Sequence, residues 1–154
     1  MTKLLLSLHV LASILAVGPI TVAASMFPRY AEPPAPGSEG PHDHDIRTAA
    51  FLHKICRAYA LVGIAVPVLG FATGAQMGVL GDAWLLASIV LTAVAAALLM
   101  AMVLPGQREL LMDAPVAERR AAATRLAMIT GIFNLLWATV VVLMIVRPGS
   151  TTGA

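Results

Sequence analysis

The chain has 154 residues, of which 59% are apolar and 12% charged, against roughly 45–50% and about 25% in a soluble domain. Its mean hydropathy is +0.87. A domain of this size exposes too much surface to hide that much apolar area in water, and disordered chains are poor in apolar residues. Both classes are excluded, which leaves a membrane protein. Ten Lys+Arg nearly balance eight Asp+Glu, so no basic face is available for a nucleic-acid partner. The single cysteine, Cys56, cannot pair within the chain and reads as a small apolar residue.

Stretches free of Asp, Glu, Lys and Arg run over Leu4–Pro28, Ala58–Gly81, Ala83–Gln107 and Leu126–Val146. Each has 21 to 25 residues, enough to cross a hydrocarbon core about 30 Å thick at about 1.5 Å per residue. Backbone groups in lipid must pair within their own segment, so these are helices. The expected fold is all-α, a four-helix transmembrane bundle forming one membrane domain. Its helices are expected at about 4–28, 50–79, 83–107 and 120–146, with loops over 29–49 and 108–119.

The connections differ in kind. Residues 29–45 carry four prolines and two glycines and read as a solvated loop. From Ile46 the pattern turns helical, and Pro67 is expected to kink this second helix. Gly81-Asp82 makes a tight turn, so the second and third spans form a hairpin. Asp113 and Pro115 suit a helix start, which places the beginning of the fourth helix near Ala114.

Orientation follows the positive charges. Arg29, Arg47, Lys54 and Arg57 precede the second span, and Arg108, Arg119, Arg120 and Arg125 precede the fourth. The other side has only Lys3 and Arg147. Both large connections are thus expected in the cytoplasm of a bacterium, with N- and C-termini outside its cytoplasmic membrane. A cleaved signal peptide ending near Ser25 would put residues 29–57, and with them all eight of these positive charges, outside and violate the same rule, so the first helix is taken as retained.

His9 is the only side chain in the spans that titrates near neutral pH. Ionisable groups in membrane helices are functional hypotheses by default. Its helical neighbours Ala12, Ser13, Ala16 and Ile20 make a narrow stripe that admits a close approach. Two roles fit: an axial ligand to heme iron through a neutral imidazole, or a hydrogen bond to a neighbouring helix. Lying about 8 Å inside the span, His9 makes the second at little cost, and that role is preferred. A heme would need a second ligand from the same depth, with Met77 and Met144 as candidates.

His53, Lys54 and Arg57 read as a lipid-headgroup contact. His42-Asp43-His44-Asp45 is a compact donor set in which His42 and His44 could hold a divalent metal, although a solvated loop is preferred. Gly70, Gly74 and Gly78 form a small-residue ridge for helix packing, possible also between copies of the chain. Thr130, Asn134, Trp137 and Val141 share one helix face, and Asn134 near mid-membrane is expected to bond another helix. No nucleophile–base pair, phosphate loop or carboxylate pair occurs.

The run KLLLSLHVLASILAVGPITVAASMFPR and the second-helix opening LHKICRAYALVGIAVPVLG resemble a family of small bacterial integral membrane proteins of actinobacterial type, four-helix and of unknown function. The resemblance covers the whole chain and implies a membrane protein without an activity. More distantly, Leu8-His9 followed by Gly18 and Pro28-Arg29 is similar to the protoporphyrinogen-oxidase-type heme membrane proteins and the copper-resistance membrane domain. Both have a histidine early in their first helix, which implies heme b or copper at His9. This chain lacks the tryptophan those groups place between histidine and glycine, and it has no second intramembrane histidine. The preferred function is a small membrane scaffold or accessory subunit in the lipid bilayer, acting with a membrane partner or a second copy. A heme b redox protein and a copper-handling protein are the alternatives.

Overall fold

The computed structural model describes residues 1–32, 42–112 and 115–149, with His42 and Asp43 described by their backbone alone. The elements are α1 (Thr2–Ala31), α2 (His42–Val62), α3 (Ala65–Met77), α4 (Ala83–Leu98), a π-helical turn (Leu99–Val103), α5 (Leu104–Leu110) and α6 (Val116–Val146). No strand occurs among the described residues. Four continuous helical stretches are long and apolar enough to cross a membrane: Thr2–Ala31, His44–Met77, Ala83–Leu110 and Val116–Val146. The fold is the all-α four-helix bundle expected from the spans.

α1 packs along α2, α3 and α6, while α4 pairs with α6. Ala16, Ala24, Ala49, Ala95 and Ala123 are fully buried and bring the helix backbones close, with Phe27 and Phe133 filling the space between them. The outward faces carry large apolar side chains such as Leu135 and Ile145. A bilayer is the solvent that suits them.

Several boundaries differ from expectation, each for a local reason. The second crossing breaks at Gly63-Ile64 and not at Pro67. Proline lacks an N–H and its ring crowds the carbonyl four residues back, which here is Gly63. The Gly63 carbonyl accepts instead from the Val66 N–H at 3.1 Å. The helix also begins at His42, earlier than expected; Asp45 in its first turn suits the positive N-terminal end. His44 therefore stands exposed on a first helical turn and not in a loop, and Thr48 donates to its carbonyl at 2.9 Å.

The third crossing contains an unexpected π turn, in which the Leu104 N–H reaches back to the Leu99 carbonyl. Pro105 directly after it cannot donate to the ladder, which accounts for the local widening. α5 runs to Leu110, and Pro115 caps α6. The connection is shorter than the expected 108–119; the expected cap Asp113 and start Ala114 lie outside the described residues. Arg119 reaches from the first turn of α6 and donates to the Ala31 carbonyl at 3.3 Å, tying α6 to the negative end of α1.

Candidate functional site

Three polar assemblies interrupt the apolar interior. In the first, His9 on α1 is 7% exposed, and its Nδ1 lies 3.0 Å from the Val66 carbonyl on α3. A carbonyl only accepts, so Nδ1 carries the proton and Nε2 holds the lone pair. The ring edge lies against Gly70: a Cβ there would stand 2.9 Å from Cε1 and 3.6 Å from Nε2. Gly70 is thus the residue that lets this edge of the imidazole approach α3.

A backbone acceptor on one ring nitrogen is the usual partner of a ligating histidine. The other nitrogen lies 3.6 Å from where a Gly70 Cβ would stand. Met77 lies seven residues beyond Gly70, about 10 Å along the helix axis, and Met144 sits half-buried on α6. The bond to Val66 makes His9 a latch between α1 and α3.

The remaining glycines of the ridge divide their roles. A Cβ at Gly74 would meet Leu85 Cδ2 at 2.9 Å and Leu80 Cδ2 at 3.2 Å, so it packs against the hairpin partner. Gly78 has φ 71° and open space around it. It ends α3 as a left-handed cap and is not the packing residue expected. The ridge is consumed within the chain at Gly70 and Gly74.

The second assembly joins α2, α5 and α1. His53 Nδ1 lies 3.0 Å from Gln107 Oε1, Gln107 Nε2 donates to Cys56 Sγ at 3.5 Å, and Cys56 is 4.0 Å from the Ile20 carbonyl. Gln107 and Cys56 are fully buried. The expected headgroup contact therefore loses His53, which turns inward, while Lys54 and Arg57 remain exposed. Sequence reasoning took Gln107 only as the end of a span. The signal was present: one amide at that end, with His53 and Cys56 three residues apart on a facing helix.

The third assembly lies on the seam between α1 and α6. Asn134 Nδ2 donates to Ser25 Oγ at 3.0 Å, with Ser25 exposed on the outside of the bundle. This is the interhelical bond expected of Asn134. Its Oδ1, together with Thr130 Oγ1 and Trp137 Nε1 on the same face, is buried without a hydrogen-bond partner. Ser25 was not singled out beforehand, because a lone serine in an apolar helix commonly bonds its own backbone.

Among the described residues no group of three or more His, Cys, Asp or Glu is placed to hold a metal. The side chain of His42, half of the expected metal pair with His44, lies outside the described residues. Fold and polar assemblies together define a small multi-pass α-helical membrane protein. Comparison of the chain with family models, curated proteins and solved structures gave no match.

Proposed function

We propose that the protein is a scaffold or accessory subunit of a membrane assembly, with the α1/α6 seam as its docking face. The observation that carries this reading is the Ser25–Asn134 pair, a polar contact whose Ser25 side lies exposed on the outward face of the bundle. Polar side chains facing hydrocarbon are costly, and a polar residue from a neighbouring helix that bonds Ser25 relieves that cost. Gly18 on α1 and Gly131 on α6, each with no neighbour within 4 Å of a Cβ, leave the approach open. The neighbour is a second copy or another membrane protein, in a bacterial cytoplasmic membrane with both termini outside, as the arginine asymmetry favours.

The seam replaces the glycine ridge as the self-association surface, since Gly70 and Gly74 are covered by His9, Leu80 and Leu85. The heme and copper readings of His9 rest on the distant resemblance alone. The test compares wild type with Ser25→Leu/Asn134→Leu in a mild detergent, by light scattering of the protein component. The wild type should exceed the 16.0 kDa of one chain, and the variant should fall to it. A monomeric wild type that also stays alone in its native membrane contradicts the proposal.

A further inference from the structure

Beside the π turn, residues of α5 and α6 line a cavity of about 200 Å³. An apolar cavity of about 150 Å³ already admits a benzene ring, so this one has room for a small polar group. Met102, Pro105, Ala122 and Ile129 line it, together with Glu109 from α5 and Arg125 from α6. Both charged residues are exposed. Arg125 immediately precedes the uncharged span Leu126–Val146, and Glu109 follows the uncharged span Ala83–Gln107 by two residues. The two charges therefore sit at headgroup depth on one face of the membrane, beside the cavity.

We infer that this cavity holds the headgroup of a phosphatidylethanolamine molecule. The charge pattern selects it. A guanidinium binds phosphate through two parallel hydrogen bonds, and Arg125 supplies that donor pair. A primary ammonium has three N–H donors and no acceptor, and Glu109 supplies the carboxylate it needs. Phosphatidylcholine carries a quaternary ammonium with no N–H to donate. Phosphatidylglycerol brings no cation to Glu109. The π turn imposed by Pro105 carries Ala101 and Met102 onto the cavity wall, in keeping with the frequency of π turns at functional sites.

The test titrates the detergent-purified full chain with dihexanoyl phosphatidylethanolamine, phosphatidylcholine and phosphatidylglycerol, reading the thermal unfolding midpoint. Phosphatidylethanolamine should bind about tenfold more tightly than either of the others. Glu109→Gln should erase its advantage over phosphatidylcholine and leave the lipid-free midpoint unchanged. Arg125→Gln should weaken all three. Equal affinities in the wild type, tightest binding of phosphatidylglycerol, or an undiminished preference in Glu109→Gln would overturn the inference. The wild-type series decides alone if either variant fails to fold.

Discussion

Replacing Gly70 by alanine sets a methyl group 2.9 Å from Cε1 of His9, a distance that two carbons do not share. Either the imidazole leaves the Val66 carbonyl or α1 moves off α3. Overpacking of this kind costs about 1–3 kcal/mol, and Gly70→Ala should lower the unfolding midpoint in detergent accordingly. The cost should largely vanish in His9→Ala/Gly70→Ala, because the smaller side chain vacates the contact; simple additivity of the two changes would refute the latch. The same geometry predicts that protein purified from heme-replete cells is colourless. An iron–porphyrin band that disappears in His9→Ala would instead make His9 a ligand.

Gln107 offers a second test at this scale. Gln107→Leu strands the Nδ1–H of His53 and removes a donor from Cys56. A buried group left without its partner costs about 1–3 kcal/mol. Adding His53→Leu removes the stranded donor, so the double variant should recover part of the loss. Chemical denaturation of the three proteins in one detergent measures it, and a double variant less stable than Gln107→Leu would count against the network.

Among the elements, termini and breaks carry the sequence information that spans lack. Gly78 closes α3 at φ 71°, where an L side chain is disfavoured, whereas Gly18 lies within α1 with nothing near its missing Cβ. Gly78→Ala should cost about 1 kcal/mol, and Gly18→Ala should be neutral or slightly stabilising. Equal effects at the two sites would contradict the cap. The four crossings were legible because length and absence of charge are properties of contiguous sequence. The break at Gly63 was legible only in part, because Pro67 acts through a carbonyl four residues earlier. The π turn before Pro105 was missed for a related reason: proline announces a disturbance but not which ladder the chain adopts. The pairings His9–Gly70 and His53–Gln107 were out of reach, since each joins residues more than fifty positions apart whose facing depends on helix rotation.

At the scale of the whole molecule, Lys3 and Arg147 sit at one end of the bundle and the other arginines gather at the opposite end. Arg147 closes α6 in a left-handed conformation, with its guanidinium 5.7 Å from the Trp84 ring centroid at the start of α4. A cation over an aromatic face suits the membrane interface. In a Cys56→Ser background, Gly149→Cys should react with a membrane-impermeant maleimide on intact cells, and Arg120→Cys only after permeabilisation. Reversed labelling would invert the orientation.

The bundle satisfies its buried polar groups through its own helices at His9 and Gln107, and leaves the Ser25–Asn134 seam facing outward. That contrast is the centre of the functional reading. A photo-crosslinking residue placed at Ser25 in the native membrane tests it most directly, with the same residue at Phe71, an exposed site on α3, as the control. The Ser25 position should give a discrete adduct, either a dimer of the chain or a complex with one partner, and Phe71 should give none. Equal adducts at both positions, or none at Ser25, would contradict a docking face on this seam.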